Sequence, residues 1–220
     1  RALILSGSRL SSPSKTLRQN TLANRTGAHA ALVVTRPYVR PTQAGLIAHY
    51  RAVAEASEIP VVLYNVPGRT GCDLLPETVA VLSSHENIIG LKESVADESR
   101  WQALYPLASP HFSLLSGDDQ TFVSSMAGGA HGVISVASNA VPATFARICR
   151  YISEHNFDAA QALDERLQEL YAFLGVEPNP VPVKAIMKLM GFGHRLRLPL
   201  LPLSDDYTGK ADEMADLCKT

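Results

Sequence analysis

Short apolar runs punctuate the first two thirds of the chain, and most end abruptly in polar or reactive residues. Six of them read as strands: Ala2 to Leu5, Ala30 to Thr35, Ile59 to Leu63, Ile88 to Leu91, Phe112 to Leu115 and Gly132 to Val136. Several are apolar at consecutive positions rather than alternate ones, the pattern of strands buried on both faces. Between them lie runs with helical spacing. Thr42 stands where a cap belongs before Leu46, Ile47, Tyr50, Val53 and Ala54. Pro76 and Glu77 suit a first helical turn ahead of Val79 and Leu82. Asp97 opens a run with Trp101 and Leu104 on one face, and Phe122 and Met126 mark a short helix. Ser14 to Ala23 has only Leu17 and Leu22 as large apolar residues, so a helix there is weakly specified.

Strand and helix patterns alternate at a period of roughly 20–30 residues, which predicts a parallel sheet. A doubly wound open sheet and a (β/α)8 barrel both fit, and in both of them ligands bind at the carboxyl ends of strands. Tyr64, Lys92, Gly117 with Asp118, and Ser135 all fall at such ends and are expected on one face. After Ser138 and Asn139 the alternation stops. Phe145, Ile148, Cys149 and Ile152, then Leu163, Leu167, Leu170, Tyr171 and Leu174, keep helical spacing. Glu177-Pro178-Asn179-Pro180 interrupts it, Val183 to Met190 resumes it, and the stretch from His194 to Ser204 is too rich in proline for regular structure. The chain is therefore divided near Val141, into a βα-repeating region over 1–141 and a helical region over 142–220.

Composition narrows the function classes. The 220 residues are 46% hydrophobic and 19% charged, enough for one large core. A net charge of −1 gives no case for nucleic acid or an anionic membrane, and no apolar run approaches the ~20 residues of a membrane span. Cys72, Cys149 and Cys218 form no CxxC and read as free thiols in a reducing compartment, so a cytoplasmic location is expected. The seven histidines lack metal-ligand spacing, and no glycine-rich phosphate loop follows a strand. No acidic residue precedes Glu55, and the Arg- and Ser-rich start has the composition of a transit peptide. Its opening ALILSGS, however, reads as a strand running into a turn.

Two strand ends carry the candidate chemistry. Lys92 follows four apolar positions, where burial disfavours an ammonium ion; a neutral amine is what carbonyl attack and Schiff-base formation need. Tyr64 follows Leu63, and Arg69 sits in the turn VPGRTG. Each has a plainer reading: a lysine snorkelling to water, a tyrosine with a wet hydroxyl, a loop arginine in a surface pair. Asp118 and Asp119 read as a turn and cap rather than a metal pair, and His131 as structural. Strand alternation aims Glu93 away from Lys92.

Taken together, YNVPGRTG, IIGLKES, SGDDQTF, GVISV and EPNPVPVK resemble the pyruvate-dependent class I aldolases, the N-acetylneuraminate lyase family, from about Gly27 to Ser204. The resemblance implies a TIM barrel with a C-terminal helical appendage. It makes Lys92 the lysine that forms an imine with pyruvate, and Tyr64 a proton-relay tyrosine beside it. Tyr38, in TRPYVRP, matches a second relay tyrosine lent across a subunit interface. Arg69 matches an arginine that binds the carboxylate of aspartate semialdehyde, while Gly117, Asp118 and Ile134 fall where the family lines its pocket. Presence of Arg69 favours condensation of pyruvate with aspartate semialdehyde, a lysine-biosynthetic reaction, over cleavage of sialic or sugar acids. No metal or organic cofactor is implied, and homo-oligomers built as dimers of dimers are.

The sequence also departs from the family. About two βα units with a GTTGE-like motif have no counterpart here, and six strands cannot close an eight-stranded barrel. The expectation is an incomplete barrel, as a piece of a longer chain or a divergent copy that has lost its start; an inactive relative is the third functional reading. GSRLSSPSK replaces a GTGxNST-like stretch. Pro37, Ser11 and Lys15 stand where lysine-inhibited members place their effector residues, so lysine feedback is not expected.

Overall fold

The computed structural model describes residues 3–8, 12–35, 37–193 and 195–219. In chain order its main elements are β1 (Leu5–Ser8), α1 (Pro13–Arg25), β2 (Ala30–Val34), α2 (Gln43–Ala56), β3 (Val61–Asn65), α3 (Pro67–Thr70), α4 (Pro76–Ser83), β4 (Ile88–Glu93), α5 (Glu98–Leu104), β5 (Ser113–Ser116), α6 (Phe122–Ala127), β6 (Gly132–Val133), α7 (Pro142–Ser153), α8 (Phe157–Glu165), α9 (Gln168–Leu174), α10 (Val181–Leu189) and α11 (Thr208–Leu217). The chain forms two compact units. The first runs to Asp118 and includes Gly128–Ile134; the second holds Asp119–Ala127 and everything from Ser135 on.

The first unit is a six-stranded sheet in the order β1-β2-β3-β4-β5-β6, every pair parallel. Strands that follow one another in sequence therefore lie side by side, as in part of a (β/α) barrel and not in a doubly wound order, among the described residues. Val33, Leu63, Leu91 and Leu114 occupy one register row and are all but fully buried. One position along, Val34, Tyr64, Lys92 and Leu115 form the next row, on the opposite face. β4 and β5 approach so closely at Gly90 that a Cβ there would lie 2.5 Å from the Ser113 carbonyl oxygen.

The helices start where local chemistry starts them. Thr42 accepts the Gly45 N–H (3.2 Å), and Asp97 accepts the Arg100 N–H (2.8 Å). Pro76 opens α4 with Glu77 in its first turn. The weakly specified α1 runs from Pro13 to Arg25, longer than expected, because Ser12 caps it and Pro13 presets its first turn.

The strand ends differ from the sequence reading, those of β1 and β6 by three residues and the others by one or two. β1 spans Leu5–Ser8 because its ladder pairs Leu5 with Ala30 and Ser8 with Val33; Ala2 lies outside the described residues. β6 pairs only over Gly132–Val133. Beyond it the Asp119 carboxylate accepts the Val136 (3.2 Å) and Ala137 (2.8 Å) N–H groups, which turns the chain into a short 3-10 helix, Ala137–Asn139.

The second unit is helical. Phe122 stacks on Phe145 (4.9 Å between centroids), whose ring meets the edge of Tyr171, and the Tyr171 hydroxyl donates to Asp164 at 2.8 Å. α11 was not legible in the periodic pattern, although Ala211, Met214 and Ala215 bury one of its faces. No helix among the described residues is long and apolar enough to cross a membrane.

Candidate active site

The ladder continues past the formal strand ends and sets the site's geometry. The Thr35 N–H donates to the Tyr64 carbonyl, Ser94 to Asn65, Gly117 to Glu93 (2.7 Å) and Ile134 to Ser116 (2.8 Å). These bonds hold the residues after β2, β4, β5 and β6 in register. Lys92 and Tyr64 are direct cross-strand partners. Lys92 is 9% exposed, and its Nζ stands 4.3 Å from the centroid of the half-buried Tyr64 ring.

Gly117 completes the wall beside the lysine. A Cβ built on it would lie 2.6 Å from Lys92 Cε and 3.2 Å from Lys92 Cγ. The same Cβ would lie 2.1 Å from Ser94 Oγ, so Ser94 and Lys92 close on one point of bare backbone. Ser94 Oγ also donates to the Gly117 carbonyl (3.3 Å). Asp118 follows in a turn in which its N–H meets Ser116 Oγ (3.3 Å).

Arg69 and Tyr38 are both on the surface. Arg69 is exposed on α3, which closes on Gly71 in a left-handed conformation. Tyr38 is 97% exposed, with φ at 74°. Among the described residues no hydrogen bond or ring contact joins Tyr38 to Lys92 or Tyr64. Of the three effector positions, Pro37 and Lys15 are described and Ser11 lies outside the described residues.

Behind the Tyr64–Lys92 pair is a polar cluster that sequence reasoning missed. Asn65 and Glu93 are the next cross-strand pair and point to the helix side of the sheet. Asn65 Nδ2 donates to both Glu93 oxygens (3.1 and 3.0 Å) and to Asp73 Oδ1 (2.9 Å), and Asn65 Oδ1 accepts the Leu74 N–H (2.9 Å). Arg100 Nη1 reaches Glu93 (3.3 Å) and the Leu74 carbonyl (3.2 Å), while its Nη2 pairs with Asp73. Glu93 is 1% exposed, and burial pushes its carboxyl up to about 7, against the opposing pull of Asn65, the Val95 N–H and Arg100. The one sequence signal was that Asn65 and Glu93 directly follow the two reactive residues.

Nearby, Thr35 Oγ1 lies 3.2 Å from Thr70 Oγ1, and Thr70 bonds the Cys72 backbone at both its N–H and its carbonyl. These contacts brace the turn that carries Arg69. His131 is structural: its Nδ1 accepts the Leu114 N–H (3.2 Å). Among the described residues no group of three or more His, Cys, Asp or Glu side chains is placed to hold a metal ion.

Residues 4–217 match the Dihydrodipicolinate synthetase family. The chain is 56% identical over 212 residues to a 4-hydroxy-tetrahydrodipicolinate synthase of Stenotrophomonas maltophilia K279a, covering 96% of this chain and 71% of that one. Identity to the corresponding synthase of Xanthomonas campestris pv. campestris is 54% over 215 residues, with 98% and 71% covered. Among solved structures, the chloride-inhibited dihydrodipicolinate synthase from Acinetobacter baumannii complexed with pyruvate superposes with a TM-score of 0.95 at 37% identity, covering 100% of this chain and 76% of that one. A monomeric dihydrodipicolinate synthase variant superposes with a TM-score of 0.93 at 35% identity, with 99% and 74% covered.

Proposed function

The chain belongs to the dihydrodipicolinate synthetase family, and from that premise we propose how its side chains carry the family's reaction. The reaction is a lyase-type condensation of pyruvate with aspartate semialdehyde through a Schiff base, a step toward diaminopimelate and lysine. The observation that carries the assignment of roles is the Tyr64–Lys92 pair, a phenol ring and an amine in contact at the carboxyl ends of adjacent parallel strands.

Lys92 Nζ attacks the ketone carbon of pyruvate. Protons pass to the departing hydroxyl through Tyr64, whose phenol can donate and accept, and water leaves. The protonated imine is the electron sink, so no metal or organic cofactor is required. Loss of a methyl proton gives the enamine, whose carbon attacks the aldehyde of the second substrate. Gly117 leaves room for the lysine stem, and Ile134 and Asp118 line the pyruvate side. Arg69 offers a planar fork to the carboxylate of aspartate semialdehyde, bidentate where a lysine would be a point charge.

Tyr38 completes the relay from a neighbouring copy. Its support is a side chain 97% exposed on a backbone at φ 74°, a conformation that costs an L-residue energy. The working form in this reading is a cytoplasmic homo-oligomer, a dimer of dimers. Intact mass after incubation with pyruvate and borohydride, followed by peptide mapping, tests the scheme. A reduced pyruvyl adduct on Lys92 is expected, and a folded chain that gives no adduct removes it.

A further inference from the structure

Asn65 and Glu93 repeat, on the helix side of the sheet, the pairing that Tyr64 and Lys92 make on the other. Each member of the back pair is covalently next to a member of the front pair, and β3 and β4 share the register of both. The back pair is reached by two further groups. Arg100 comes from α5, and Asp73 comes from the segment between α3 and α4. The segment 66–75 that carries Arg69 is thereby tied down at Asp73 and at both backbone groups of Leu74.

We propose that the Asn65–Glu93 pair, braced by Arg100 and Asp73, is a positioning clasp that fixes the spacing of Tyr64 and Lys92 and anchors the turn bearing Arg69, and that it holds only with Glu93 ionised. The proposal rests on the imine reading of Lys92. Every described hydrogen-bond partner of the Glu93 carboxylate is a donor: Asn65 Nδ2 to both oxygens, the Val95 N–H (2.8 Å) and Arg100 Nη1. A proton on Glu93 would face donors and displace one of them. The charged groups facing Glu93 are Arg100, which favours its ionised form, and Asp73, which opposes it. Burial sets the balance so that Glu93 titrates near neutrality. The clasp then forms as pH rises through neutrality and is complete well above it. None of these residues touches substrate; they act through the strands.

Two readouts on the full chain test the clasp: the rate of borohydride-trapped adduct formation with pyruvate between pH 6 and 8.5, and amide hydrogen exchange over residues 66–75. In the wild type the trapping rate is expected to rise roughly tenfold through pH 7. Glu93→Gln imitates the protonated carboxyl and keeps its volume. Its rate is expected to stay at the wild type's pH 6 level throughout, with exchange in the turn about tenfold faster at pH 8 than in the wild type. Glu93→Ala is expected to do the same or more. A Glu93→Gln protein with the wild-type pH profile and wild-type turn protection overturns the proposal. If the wild type traps no pyruvate but the variant still loosens the turn, the clasp stands and the imine chemistry falls.

Discussion

The stem of Lys92 lies against the bare backbone of Gly117, where a single methyl group would stand 2.6 Å from Lys92 Cε. Ser94 Oγ lies nearer still to that point, but Ser94 can be shortened and Lys92 cannot. Gly117→Ala is therefore expected to displace the lysine stem at a cost of about 1–3 kcal/mol and to abolish pyruvate trapping. Adding Ser94→Ala removes one clash and leaves the other, so the double variant should not recover. Thermal melting and adduct mass check both statements.

Tyr64→Phe separates the ring from its hydroxyl. The ring contact with Lys92 Nζ survives, and the half-buried position leaves stability within about 0.5 kcal/mol of wild type. The proton path proposed for the hydroxyl does not survive, so imine formation is expected to slow by roughly 10²–10⁴. Stopped trapping with borohydride gives the rate, and a wild-type rate would remove Tyr64 from the relay.

The parallel sheet and the placement of Lys92 and Tyr64 at strand ends were legible because they follow from local rules. Reactive residues stood directly after buried apolar runs, and the runs alternated with helices at a βα period. The clasp was hidden because it is assembled across elements. Alternation showed that Glu93 turns away from Lys92, but nothing in the spacing announced that Arg100 from α5 and Asp73 from a loop would meet it. β6 was overestimated for a related reason. GVISV has strand composition throughout, but the Asp119 carboxylate takes the N–H groups of Val136 and Ala137. α11 was lost behind a proline-rich approach, since its buried stripe is made of small residues and one Met.

Arg69→Lys keeps the charge and loses the fork. For a carboxylate held in two parallel hydrogen bonds, the change is expected to cost about 2 kcal/mol, roughly thirtyfold in kcat/KM for aspartate semialdehyde. Pyruvate trapping on Lys92 should be untouched. Steady-state kinetics with the semialdehyde varied at saturating pyruvate check this. Equal loss in both half-reactions would place Arg69 with the first substrate instead.

Tyr38 carries a left-handed backbone under an exposed side chain. Tyr38→Gly relieves that backbone and removes no buried contact, while glycine loosens the unfolded chain by a similar amount, so stability is expected to stay within about 1 kcal/mol of wild type. Its turnover should nevertheless fall if the hydroxyl serves a neighbouring copy. Melting temperature and turnover, measured together, are expected to show turnover falling without a matching loss of stability. Unchanged turnover would remove Tyr38 from the reaction.

Glu93 sets function against stability. Burial raises its carboxyl from the ordinary 4.5 to about 7, so between those values the folded chain holds a proton that the unfolded chain has released. The contribution of the group to stability is fully present below pH 4.5 and is lost as pH rises through 7, by about 3 kcal/mol at most. Asp164 is raised by burial as well, against the opposing hydrogen bond from Tyr171, and its contribution runs in the same direction. Comparison with Glu93→Gln isolates the first group from the second. Wild-type stability by denaturant titration is expected to decline between pH 5 and 7.5 more steeply than that of the variant. Pyruvate trapping over the same window should rise in the wild type and stay flat in the variant. The chain would then ionise Glu93, and spend stability, over the same range in which the clasp forms. Parallel stability curves for the two proteins would show that Glu93 does not titrate in this window, and the pH dependence of trapping would need another group.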